Sequence, residues 1–170
     1  FSSLKEIYED KNSTLGIRLH ASLASLKPYF KEADYIYVTR IDSDDMFHQS
    51  AFEEIQFVPP FLGALTYNKG FVYNKDTDEL AEYNPETNPP FHTIIFDKKT
   101  FFDAKSHLAY FKDFKSHEDI PRIFTTINLP DWHYCVLTDN SKYHISTIWN
   151  HPFRGEEVTN KRFILSEFGL

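Results

Sequence analysis

The sequence predicts an α/β protein with a mixed sheet flanked by helices. Two observations carry that prediction. Short runs of β-branched and aromatic residues, bounded by Gly, Pro, Asn and Asp, recur along the chain. They alternate with segments of helical spacing, and a hairpin signal lies between them. Such alternation favours packed α/β layers over a helical bundle or an all-β sandwich. At 170 residues the chain has the length of about one domain and can bury a real core. No repeat, low-complexity tract or linker divides it, so residues 1–170 read as a single domain.

Each element has its own signal. Leu15, Leu19, Leu23 and Leu26 recur near helical spacing and predict a helix to Phe30, with Pro28 near its end. Tyr35-Ile-Tyr-Val-Thr-Arg-Ile41 predicts a strand. Gln49 to Ile55 suits a short helix capped by Ser50, and Pro59-Pro60 breaks the chain. Leu62–Tyr67, Gly70–Tyr73 and Leu80–Tyr83 read as short strands. Asn68-Lys-Gly70 and Asn74 to Asp78 supply turns for a meander or hairpin. A loop rich in Asn and Pro follows to Pro90, then a strand at Phe91–Phe96. Lys98–Phe111 and Ser116–Ile127 read as helices, and Trp132–Leu137 as a strand. Asp139–Tyr143 is a turn, and Glu156–Phe168 a terminal helix.

Composition narrows the function. Hydrophobic residues at 41% and charged residues at 25% are ordinary globular values. Aromatics at 17% are abundant, and a core built from Phe explains them better than sugar-stacking platforms do. A net charge of −7 argues against broad nucleic-acid binding. Cys135 is the single cysteine, so no intrachain disulfide forms, which fits a reducing compartment. No apolar run approaches the roughly 18 residues that would span a membrane, and no signal peptide is visible. The expected location is the cytoplasm, or the inner face of the membrane.

The densest chemistry follows the strand at Tyr35. Asp42-Ser-Asp-Asp45 puts three carboxylates in four positions where that strand must stop. Like charges this close repel, and a divalent cation relieves the repulsion because Mg²⁺ and Mn²⁺ favour carboxylate oxygens. Acids at the carboxyl end of a strand also lie where open α/β sheets bind ligands. An Asp-rich turn capping the next helix is the plainer reading. An EF-hand is disfavoured, because Phe47 stands where its loop needs Gly.

This strand-Asp-Ser-Asp-Asp pattern resembles the DxD motif of GT-A-fold glycosyltransferases. Arg40-Ile-Asp-Ser-Asp-Asp45 is most similar to bacterial sequences labelled as rhamnosyltransferases. The resemblance covers roughly Tyr35 to Trp149. It implies a GT-A-like fold and a nucleotide-sugar donor held through Mn²⁺ or Mg²⁺. It implies transfer of a hexosyl or rhamnosyl unit to a hydroxyl acceptor such as a glycan. Asp42 and Asp44 would be the DxD positions, binding the metal and the donor, with Asp45 supporting them. A late histidine completes the metal shell in several such groups, and the candidates here are His144 and His151. Ser116-His-Glu-Asp119 resembles the late segment whose acid takes the acceptor proton, which makes Glu118 and Asp119 the catalytic candidates. A base there would give inversion at the anomeric carbon. Ser116 with Asp119 also looks like a capping box, and both readings can hold together if Asp119 caps. In that family about a hundred residues holding the nucleotide base precede the DxD strand. Here only 34 precede Tyr35, so the resemblance implies an N-terminally incomplete domain.

Other chemistries lack a signature. No histidine pair has the spacing of a helical zinc site, and no G-x-S-x-G, P-loop or G-x-G-x-x-G occurs. His48, close behind the acids, could reach a phosphate or lie at the surface. Asn84, Asn88 and the paired prolines could shape an acceptor groove, with Trp132 or Trp149 as a stacking face. The rival function is a non-catalytic, cation-dependent carbohydrate-binding module.

Overall fold

The computed structural model describes residues 26–40, 45–84, 91–103, 105–106, 117–129, 134–138 and 141–170. Along the chain the strands are β1 (Tyr35–Thr39), β2 (Asp45–Phe47), β3 (Gly63–Tyr67), β4 (Gly70–Asn74) and β5 (Glu79–Tyr83). They continue as β6 (His92–Asp97), β7 (Thr126–Leu129), β8 (Tyr134–Thr138) and β9 (Arg154–Glu157). The helices are α1 (Ala51–Phe57), α2 (Lys98–Phe101), α3 (Ile120–Ile123), α4 (Lys142–His144) and α5 (Lys161–Glu167). The protein is thus α/β, but the strands form two mixed sheets rather than one. The first has the order β1-β6-β3-β7 and the second β2-β8-β4-β5-β9.

Pairing directions locate the functional edge. β6 is antiparallel to both β1 and β3, and β7 is parallel to β3. Hence β1, β3 and β7 run the same way, and their carboxyl ends share one edge of the first sheet. From that edge all three pass into the second sheet, as β2, β4 and β8 respectively. β4 and β8 are again parallel neighbours. Two strands therefore run side by side through both sheets.

Alternation along the strands builds three apolar layers. Ala64, Ile94 and Phe96 face a cluster with Ile36, Phe101, Ile120 and Phe124. Leu65, Tyr67 and Ile95 face the opposite way, toward Ile55, Phe91, Tyr134 and Val136. Cys135, between Tyr134 and Val136, points to a third cluster with Phe71, Leu80, Leu165 and Phe168. Most of the abundant aromatics among the described residues serve these cores.

Several expectations are corrected. Asn68-Lys69 makes no hairpin. β3 and β4 each find a parallel partner, and those pairings displace a β3/β4 ladder. The β4/β5 hairpin does form, its turn held by the Asn74 side chain, which accepts from the Asp76 and Thr77 amides at 3.0 and 3.3 Å. Pro28 lies in the first turn of a 3₁₀ helix, Lys27–Phe30, where its missing N–H costs nothing. The rest of the predicted Leu15 helix lies outside the described residues. The helix expected from Lys98 stops at Phe101. Asp97 caps it through the Thr100 amide at 2.8 Å, and Asp103 starts another turn by accepting from the Ser106 amide. The helix expected over Ser116–Ile127 is a 3₁₀ turn and the four-residue α3, after which β7 begins. The expected terminal helix gives up its start to β9.

Gly70 shows how tightly the two sheets are joined. A Cβ there would lie 2.4 Å from the Tyr134 ring, which is fully buried and stacked on Phe91 at 4.1 Å. The ring has nowhere to go, so Gly70→Ala should cost roughly 1–3 kcal/mol, the scale of overpacking in a core. At Gly155 a Cβ would lie 3.0 Å from the Glu82 Cβ, a contact that needs only a small shift to relieve, and alanine there should cost less. Urea unfolding of the two variants checks this; equal destabilisation would refute it.

Candidate functional site

The candidate site is the seam where the strands change sheets. β1 delivers the chain to the acidic run, and β2 receives it. Both ends of this link are fixed. Upstream, the Arg40 amide donates to the His92 carbonyl at 3.1 Å, and the Thr39 and Thr93 hydroxyls meet at 2.8 Å. Downstream, Asp45 pairs with Val136 and Phe47 with Tyr134. Asp42 and Asp44 themselves lie outside the described residues.

Asp45 is half-buried on β2. Its charge is felt across the β2/β8 ladder. Burial first, then Asp45, pushes the Cys135 thiol up to about 12. Burial, Tyr83 and Asp45 together hold the Tyr134 phenol well above its usual value. Negative charge here meets low-dielectric surroundings, where a cation is attracted most.

The late histidines flank a π-helical turn, Ile145–Trp149, that follows α4 and packs on β4 and β8. π-Turns frequently mark functional sites. His144 is half-buried, and its amide donates to the Ser141 hydroxyl at 3.2 Å. His151 uses Nδ1 to accept from the Phe153 amide at 3.3 Å, with its ring 4.3 Å from the Phe153 ring. Asp45, His144 and His151 thus all belong to the second sheet and the turn packed on it. Among the described residues, however, no three His, Cys, Asp or Glu side chains are grouped to hold a metal ion. Sequence reasoning missed the neighbouring Arg154, which stacks on Trp149 at 4.4 Å and pairs with Glu157 at 3.0 Å. A guanidinium thus covers a face of one of the rings expected to stack on sugar.

Glu118 and Asp119 stand apart from this group, in the helical layer over the first sheet. Glu118 is exposed on the 3₁₀ turn His117–Asp119. Asp119 occupies the N-cap position of α3 but makes no side-chain cap, and Ser116 lies outside the described residues. The Asp119 carboxylate instead accepts from Arg122 at 2.9 Å. An ion pair one turn away wins over the cap because the guanidinium supplies a charged donor.

His48 is a further surprise. Its ring is 5.6 Å from that of Phe168, and its Nε2 is 3.2 Å from Glu167 of α5. Ser50 N-caps α1 without a hydrogen bond to the helix backbone; its hydroxyl lies 2.8 Å from His48 Nδ1 and 2.7 Å from Glu54. Nothing local in the sequence announces a contact spanning 119 positions.

No helix among the described residues is long and apolar enough to cross a membrane. Comparison with known proteins gives no match to a family model, to a curated protein or to a solved structure.

The state of Cys135 is directly measurable. A thiol reacts as its thiolate, and with its value near 12 only about one in ten thousand is ionised at pH 8. Folded protein should therefore stay unlabelled by a chromogenic disulfide reagent at pH 8 and react at once in urea. The unfolded thiol ionises near 9.0 and the folded one near 12, so this group's share of stability is intact below pH 9 and is lost between those values. Rapid labelling of the folded chain would contradict this burial.

Proposed function

We propose that the chain is a metal-dependent glycosyltransferase domain of the GT-A type, moving a sugar from a nucleotide-sugar donor to a hydroxyl acceptor. The observation that carries this reading is the acidic run Asp42-Ser-Asp-Asp45 on the link that leaves the carboxyl end of β1 for the second sheet. Ligands of open α/β sheets bind beyond the carboxyl ends of strands, and β1, β3 and β7 all end on that edge. Oxygen donors of this density suit a hard divalent cation. On this reading Asp42 and Asp44 would hold Mn²⁺ or Mg²⁺, with His144 or His151 as a further ligand and Asp45 bracing the group from β2. When bound, such an ion supplies Lewis-acid neutralisation of the departing diphosphate.

The chain's own residues would do the rest. Glu118, exposed on its turn, would accept the proton of the acceptor hydroxyl. Asp119, whose carboxylate pairs with Arg122, is the second candidate. Direct attack with Glu118 as base implies inversion at the anomeric carbon.

Calorimetry with a panel of nucleoside diphosphates tests the proposal. Binding that requires Mn²⁺ supports a transferase, whereas cation binding with no nucleotide affinity would leave the carbohydrate-binding module as the better description. Asp44→Asn should keep the fold and weaken Mn²⁺ roughly tenfold or more, since even outer partners of a metal cost that much. Unchanged Mn²⁺ affinity in that variant would sink the metal assignment.

Glu118→Gln should lower turnover by roughly 10²-fold or more while leaving donor affinity alone, as loss of a general base does. Normal turnover in that variant would move the base elsewhere.

A further inference from the structure

We infer that α5 is a strap that couples the β4/β5 turn to the corner between β2 and α1, so that these two places open and close together. The strap crosses four strands. Leu165 of α5 and Phe168 at its C-cap share one buried cluster with Leu80 of β5, Phe71 of β4 and Cys135 of β8, and Met46 of β2 packs against it. In the second sheet β5, β4, β8 and β2 are consecutive neighbours. Three strand spacings separate the outer two, about 14 Å. A helix of seven residues is only about 10 Å long, so its end residues must reach outward to span that width.

Both ends do reach outward, and both are tied. At the start Lys161 pairs with the Asp78 carboxylate at 2.6 Å and also donates to the Asp78 carbonyl. Asp78 is itself held: its backbone sits in the left-handed region, at φ 58°, and its carboxylate takes a second donor, the Tyr73 hydroxyl, at 3.1 Å. At the far end the Glu167 carbonyl accepts from the Gln49 amide at 3.0 Å. The Glu167 carboxylate lies 3.2 Å from both the Gln49 carboxamide nitrogen and His48 Nε2. The two ties share one fate because α5 is too short to be a helix on its own; isolated helices below about 12–15 residues are marginal in water. A detached end therefore leaves no rigid helix behind. The turns unwind, Leu165 and Phe168 lose their packing, and the other tie loses its footing. β2 feels this most, because it is three residues long and has β8 as its one strand partner among the described residues. If the acidic run is the metal site proposed above, its exit is held from the far side of the sheet; the strap itself does not depend on that reading.

Hydrogen exchange tests it with no metal or nucleotide present. Lys161→Met keeps the aliphatic stem and removes the ammonium. Protection of the backbone amides at 46–50, at the other end of the strap, should then fall by about two- to threefold, the scale of an exposed ion pair. Glu167→Ala should in turn lower protection at 75–80, because coupling between two places is reciprocal. Amides of β3 and β6 should keep wild-type protection in both variants. Loss confined to the mutated end would overturn the strap, since the two ties would then be independent. So would an equal loss in β3 and β6, which would mark a general fall in stability. Mn²⁺ calorimetry on the same samples reports on the metal site separately, so either idea can fail alone.

Discussion

Everything at the seam depends on one side chain, Tyr134. Its ring stacks on Phe91 at 4.1 Å, where the chain enters β6. Its hydroxyl donates to the Tyr83 carbonyl at 3.0 Å, where β5 ends. The ring also fills the space a side chain at Gly70 would need, where β4 begins, and its backbone pairs with Phe47 of β2. Three of the segments that pass between the sheets, those after β2, before β4 and between β5 and β6, are thus measured against one residue. Stacking of this kind adds about 0.5–1.5 kcal/mol beyond burial, and the hydroxyl's bond about as much again. Removing the ring would release the crossings together rather than one at a time. Two sheets that share their strands need such a common stop, because backbone pairing alone fixes order within a sheet but not the angle between sheets.

The legible elements are those whose side chains alone select them. β1, β6 and β8 are rich in Ile, Val, Tyr, Phe and Thr, and a pleated surface suits such residues wherever it occurs. β9 was not legible: Arg154-Gly-Glu-Glu157 has no strand propensity and is extended because Ala81 and Tyr83 pair with it. β7 was hidden behind a helical pattern, since Ile120 and Phe124 repeat at one helical turn and the strand begins two residues later. The division into two sheets was not legible either. Alternation says which face a residue takes, not which strand lies beside it, so Asn68-Lys69 reads as a hairpin turn when it is a crossing.

The site divides in the same way. The acids are a local feature, and four adjacent positions announce them. The partners of His48 and Arg154 are set by packing over long separations, and neither residue carries a local motif. Asp119 shows a local motif misleading in detail. The pattern that suggests a cap is real, yet Arg122 one turn on offers a charged donor and takes the carboxylate.

The two ends of the acidic link are tied to different sheets. Arg40 is tied to β6 at one end and Asp45 to β8 at the other. Pairing holds the Asp45 backbone in the β2/β8 ladder, and its field bears on the buried Cys135 and Tyr134. Asp45 therefore holds negative charge at a half-buried position on a paired strand. An arrangement of that kind is stabilised by whatever positive charge it captures.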